Sequence, residues 1–172
     1  AGETLGLADA GDAVTVRDNL FVSTTGWEAC WWIGAGHGTT PLAAGVSIAN
    51  NTCAAAITRH AAIVVGNPEG DDPAIRLDDL QLEANLITGL GDGDLNLLAT
   101  YAPAAWRVDG NVYAPAGGFR LVDDRVPSLD AWRELGGVDA ESRVCEVPVS
   151  ALEGAVDETL AACLGEAGAT RR

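Results

Sequence analysis

The sequence predicts an all-β solenoid: about four coils of short parallel strands over residues 1–127, closed by a cap of two short helices over residues 128–172 of the same domain. Three observations predict it. An asparagine-bearing phrase recurs four times, the apolar residues of the phrases fall into columns when stacked, and glycine-rich stretches separate the strands.

The phrases begin at Val14, Val46, Leu80 and Trp106, and each reads apolar, x, apolar, x, small or polar, Asn, x, apolar. Their asparagines, Asn19, Asn51, Asn85 and Asn111, lie 32, 34 and 26 residues apart, the length of one supersecondary unit per repeat. The alternation at the start of each phrase is that of a half-buried strand. Stacking puts Val16, Ile48, Leu82 and Val108 in one apolar column and Phe21, Cys53, Ile87 and Tyr113 in another. Each asparagine follows its strand where the chain must turn, and the sequence predicts that it takes the left-handed conformation there. Four stacked amides at one corner would bond each other as an asparagine ladder.

A second strand follows each asparagine, carried by Trp31 and Ile33, Ile63 and Val65, Leu95 and Leu97, and, in a shortened last coil, Phe119 and Leu121. Gly34–Gly38, Gly66–Gly70 and Gly89–Gly93 are loop signals that absorb length variation. Ser128 to Gly137 has a serine cap, apolar Leu129, Trp132 and Leu135, and a glycine stop, so it reads as a short helix. Ser150 and Glu153 form a capping box, and Leu152, Val156, Leu160 and Cys163 share one face of a second helix that would cover the last coil. Residues 1–13 offer only Leu5 and Leu7, as the tail of an earlier coil. The uncapped end predicts either preceding coils, with this chain the C-terminal part of a larger protein, or a partner chain.

Composition narrows the function. A chain of 172 residues with 48% apolar and 20% charged residues supports one domain with a real core. No stretch approaches the ~18 uninterrupted apolar residues of a membrane span, so no membrane insertion is expected. Twenty-five acids against ten bases, all arginine, give a net charge of −15, which repels phosphate backbones and excludes nucleic acid as the expected partner. Cys30, Cys53, Cys145 and Cys163 lack zinc spacing, and His37 and His60 are far apart. Two disulfides in an oxidising compartment fit better; four cysteines allow three connectivities, of which Cys145–Cys163 would staple the second helix down.

The repeated asparagine phrases resemble the coils of right-handed parallel β-helix proteins of the pectate-lyase-like superfamily. The ending, Asn111-Val-Tyr113 through Phe119, then Ser128-Leu-Asp-Ala-Trp-Arg and Gly137-Val-Asp-Ala-Glu-Ser-Arg143, is similar to how many bacterial members end, although Cys145-Glu-Val-Pro148 departs from the usual Asp-Pro continuation. The resemblance spans roughly residues 14 to 146. It implies a secreted or cell-envelope protein, a polysaccharide lyase or hydrolase, an adhesin, a spike or a carbohydrate binder. It also implies a substrate groove along the outer face of the strands, often beside calcium.

On that outer face parity places Thr15, Arg17, Ser47, Ala49, Gln81, Glu83, Arg107 and Asp109. Arg107, Glu83 and Asp109 are the candidate catalytic group, with a carboxylate to abstract a proton beside a uronate and Arg107 to neutralise the developing charge; a solvated face with cross-strand ion pairs is the plainer reading. Asp92 and Asp94 are candidate calcium ligands, too few on their own, and no other cofactor is indicated. If Trp31 points inward, Trp32 points out, and Trp32 with Trp27 offers flat faces to a sugar ring. No catalytic constellation stands out. The expected function is therefore a module that binds extracellular polysaccharide, with a portion of a uronate-cleaving lyase, or an assembly or spike subunit docking through its uncapped end, as alternatives.

Overall fold

The computed structural model describes residues 5–7, 13–27, 29–33, 45–57, 60–68, 77, 79–88, 94–102, 104–114 and 117–145. After β1 (Leu5–Leu7), four units of three strands follow. They are β2 (Val14–Arg17), β3 (Leu20–Trp27) and β4 (Trp31–Ile33); β5 (Val46–Ala49), β6 (Thr52–Ile57) and β7 (Ile63–Val65); β8 (Asp79–Glu83), β9 (Leu86–Thr88) and β10 (Leu95–Ala99); and β11 (Ala105–Asp109), β12 (Val112–Ala114) and β13 (Gly118–Leu121). β14 (Asp124–Val126), helix α1 (Leu129–Gly136) and β15 (Arg143–Val144) complete the described chain.

The strands form three sheets visited in rotation. The first is β2-β5-β8-β11, the second β3-β6-β9-β12-β15, and the third β1-β4-β7-β10-β13 with β14 added antiparallel. All other pairings are parallel. The protein is thus mostly β, its parallel sheets compatible with the stacked coils the sequence predicts, and among the described residues no sheet closes on itself. Each unit has three strands where the sequence suggested two, because the short run after each asparagine (Leu20, Thr52, Leu86, Val112) pairs as a strand of its own.

The core lies between the sheets and is built of columns. Val16, Ile48, Leu82 and Val108 stand in register on the first sheet, and Phe21, Cys53, Ile87 and Tyr113 on the second. On the third sheet the column is Trp31, Ile63, Leu97 and Phe119, followed by Ile33, Val65, Ala99 and Leu121. Leu95 therefore does not point inward as expected. An irregularity between Leu95 and Leu97 sends Leu95 to a cluster outside the core, and Leu97 and Ala99 restore the spacing of 12 and 14 residues after the asparagine. A Cys30–Cys53 disulfide, both residues fully buried, ties the first unit to the second. Closing a loop of 23 residues removes about 3 kcal/mol of unfolded-chain entropy.

The asparagines form the predicted ladder. Asn19, Asn51 and Asn85 each donate through their backbone N–H to the Oδ1 of the next asparagine, at 3.0, 3.0 and 2.9 Å, and through Nδ2 to the same oxygen, at 3.1, 3.2 and 3.1 Å. The left-handed residue of each corner is not the asparagine but the one before it: Asp18 (φ 61), Asn50 (φ 54), Ala84 (φ 54) and Gly110 (φ 63). That turn swings the following amide inward, which leaves the asparagine free to bond along the stack.

The last unit is sealed by aromatic packing. α1 starts at Ser128, whose Oγ accepts from the Ala131 N–H, and stops at Gly137 in the left-handed conformation. It buries Trp132 completely, stacked on Phe119 at 5.3 Å and edge-on to Trp106 at 5.8 Å. Trp106, the first residue of the fourth phrase, is half-buried and packs against the core. The second helix and Cys163 lie outside the described residues; Cys145 is disulfide-bonded.

Ala84 is the one corner residue that accepts the left-handed conformation with neither a polar side chain nor a glycine's freedom. Ala84→Gly is expected to raise stability by about 0.5–1 kcal/mol in urea denaturation, and Gly110→Ala to lower it by about 1 kcal/mol. The Cβ added at Gly110 would meet nothing nearer than the Ala84 nitrogen at 3.8 Å, so its cost is backbone strain alone.

Candidate functional site

The outer face of the first sheet is built by strand parity. Val14, Val16 and their equivalents turn inward, so the residues between them face solvent in two straight rows. One row is Thr15, Ser47, Gln81 and Arg107; the other is Arg17, Ala49, Glu83 and Asp109. Every member is exposed or half-buried. Successive rungs lie about 4.8 Å apart.

Arg107, Glu83 and Asp109 are brought together. Glu83 and Asp109 are register partners on adjacent strands, and Arg107 Nη1 lies 3.2 Å from Glu83 Oε1. With 67% of the arginine and 38% of the glutamate side chain exposed, this pair contributes about 1 kcal/mol or less. Asp109 is committed locally: its Oδ1 accepts from the Gly110 N–H at 2.9 Å and the Glu141 N–H at 2.7 Å, holding the final turn.

Trp32 does turn away from the core, on the third sheet. It is half-buried there beside Ala29, Ala61, Val64, Leu95 and Leu98. Its indole N–H donates to the Gly66 carbonyl at 3.0 Å, and its ring meets His60 edge-on at 4.9 Å. The side chain of Trp27, along with Asp92 and His37, lies outside the described residues. Asp94 is half-buried just before β10, and its carbonyl accepts from the Gly118 N–H. Among the described residues no three His, Cys, Asp or Glu side chains gather to hold a metal ion, and no helix is long and apolar enough to cross a membrane.

A polar centre that the sequence reading left without a role lies at the C-terminal end of the ladder. Asp139, buried and at φ 64, receives the Trp132 indole N–H at 2.6 Å, the Tyr113 hydroxyl at 3.1 Å, the Ser142 hydroxyl and the Asn111 amide at 3.4 Å. Ser142 Oγ in turn accepts from the Asn111 N–H at 2.8 Å, taking the place a further asparagine would fill. Burial pushes the Asp139 carboxyl above its ordinary value of 3.8, against the pull of its hydrogen bonds. Burial, and then the neighbouring Asp139, push the Tyr113 hydroxyl well above 10.0. The only sequence signal for this centre was the Gly137-x-Asp-x-x-Ser spacing. Its donors all come from the chain itself, so it serves to end the stack. Compared with known proteins, the chain matches no family model, no curated protein and no solved structure.

Asp139 sets a pH dependence of definite sign. Between the unfolded carboxyl value and the raised folded one, the native state binds more protons than the unfolded state. The stability this carboxyl contributes is thus complete below the unfolded value and is lost as pH rises through the folded value. In denaturant titrations, wild-type stability is expected to fall relative to Asp139→Asn across that window. Asp139→Ala, which strips the acceptor from Trp132, Tyr113 and Ser142, is expected to cost about 3 kcal/mol or more.

Proposed function

We propose that the protein is a right-handed parallel β-helix module of the pectate-lyase-like kind, secreted or held in the cell envelope, that binds extracellular polysaccharide. The observation that carries this reading is the straight polar row of Thr15, Ser47, Gln81 and Arg107 on the outer face of the first sheet. Hydroxyl, amide and guanidinium groups repeated at strand spacing match a polymer whose own hydroxyls repeat, and the row is open to solvent. Oxidised cysteines support an extracellular setting, since disulfides persist where thiols are not kept reduced. The net charge of −15 opposes a polyanion, so the favoured ligand is a neutral glycan.

One observation favours a second reading. Arg107 beside Glu83 and Asp109 has the composition needed to cleave a uronate by proton abstraction. In that reading Arg107 neutralises the sugar carboxylate and Glu83 is the base, since Asp109 is held by two backbone N–H groups.

Affinity electrophoresis in gels containing a neutral β-glucan or polygalacturonate tests both. The binding reading predicts retardation by the neutral glycan, a loss of about tenfold in affinity on Gln81→Ala or Arg107→Ala, and no ultraviolet-absorbing product. Unsaturated uronate released from polygalacturonate and abolished by Arg107→Ala would establish the lyase instead. Retardation lost on Trp32→Ala but kept on Arg107→Ala would move the binding surface to the third sheet.

A further inference from the structure

The outer faces of the first and third sheets differ. On the first sheet the outward residues are exposed or half-buried. On the third sheet Val64 and Leu98, which stand in register with outward Trp32, are buried, and so are Ala29, Ala61 and Leu95 at the entry to the same strands, none more than 7% exposed. The outward row Ala54, Thr88 and Ala114 of the second sheet, which leads to that entry, is buried as well. Apart from α1 against β13, the described elements make their main contacts within their own sheets, so none of them covers this apolar strip. The connections entering the strands of the strip are short and belong to one unit each, whereas the strip runs through three units.

Cys145 shows where a cover is tied. Val144 is the register partner of inward-facing Tyr113, so Cys145 comes next on the outer side, with its N–H on the Tyr113 carbonyl at 2.8 Å. Cys145 is only 1% exposed, stands apart from the core cluster and is disulfide-bonded. Cys30 and Cys53 bond each other, which leaves Cys163 as its partner. A disulfide holds its two Cα atoms about 6 Å apart. Cys163 is therefore tethered to the side of the stack, where the second sheet leads into the third, and not to its end. The end has its own cover in α1, with Trp132 stacked on Phe119.

We infer that the C-terminal segment 150–163 lies along the outer side of the stack, as a strap over Trp32, Val64 and Leu98, and not across the last coil. Leu152, Val156 and Leu160 fall on one side at helical spacing, a seam of about 12 Å. Trp32 to Leu98 spans two strand spacings, about 10 Å, so the seam is long enough to cover the strip. The strap takes Trp32 out of the surfaces open to a ligand and leaves the outer face of the first sheet as the free one. This inference stands whether or not that face binds polysaccharide.

A methyl NOE map of the oxidised full chain tests the strap without any substitution. The expected result is NOEs from Val156 and Leu160 to Val64 and Leu98. NOEs from Val156 and Leu160 to Leu135 and Val138 instead would place the segment at the end of the stack, and the absence of NOEs to the third sheet would equally overturn the proposal. The variant Val156→Asp/Leu160→Asp keeps the tether and removes the seam. It is expected to speed exchange of the Trp32 indole N–H and the Leu98 amide about tenfold, with exchange at Ile48 unchanged. Unchanged exchange at Trp32 and Leu98 would contradict the strap.

Discussion

The side-chain amides of Asn51, Asn85 and Asn111 are the interaction on which the rest of this structure depends. Each turns a corner between two sheets inside the protein, where neither the turn's backbone groups nor the amide can reach water. An unmet polar group there would cost about 1–3 kcal/mol. The ladder meets the need with one residue per corner. Each Oδ1 accepts both the backbone N–H and the amide of the unit before it, and each Nδ2 returns a proton to that unit's strand. Because the bonds to each Oδ1 and from each Nδ2 to a preceding strand carbonyl cross to the adjacent unit, the corners fix the strand register, and the register fixes the apolar columns. Displacing a strand by one residue would turn a column such as Ile48 and Leu82 outward.

The two ends of such a stack are different problems. At the C-terminal end Ser142 substitutes for the next asparagine, and Asp139 gathers the donors left over from Ser142, Tyr113 and Trp132. Burying a carboxylate is costly, and here several hydrogen bonds offset part of the cost, while Arg133 reaches the carbonyls of Asp139 and Ser142. Trp132 serves both purposes at that end, covering Phe119 with its ring while its N–H reaches the carboxylate. The outward rows of the first sheet follow from the same register. Thr15, Ser47, Gln81 and Arg107 align because the residues on either side of them are locked into the core.

Much of this was legible in the sequence. Spacing located the four units, parity sorted Trp31 from Trp32 and Val108 from Arg107, and Ser128 and Gly137 bounded α1. What was missed shares a cause: it depends on pairing between units, which one repeat does not display. The strands after the asparagines share no alternation, running from Leu20–Trp27 to the three residues of Leu86–Thr88 and Val112–Ala114, so the second sheet was invisible. The left-handed residue was placed on the asparagine by intrinsic preference, whereas stacking requires the asparagine's side chain and passes the strained conformation to its neighbour, even to Ala84. The irregularity at Asn96 that expels Leu95 has no local signature. On the candidate site, sequence parity brought Arg107 and Glu83 together correctly, but it could not show that Asp109 is spoken for by the Gly110 and Glu141 N–H groups. Asp139 was hidden because the residues that give it meaning, Tyr113 and Trp132, are remote from it in pattern if not in number.

If the ladder governs the fold, its rungs must be unequal in a particular order. Removing an interior amide orphans buried backbone groups, whereas removing the exposed terminal one leaves water to replace it. Urea denaturation of Asn85→Ala and Asn19→Ala measures this directly. A loss of about 3 kcal/mol or more for Asn85→Ala, against about 1 kcal/mol or less for Asn19→Ala, is what the account predicts. Equal losses, or a small loss at Asn85, would contradict it and leave the apolar columns alone to hold the stack.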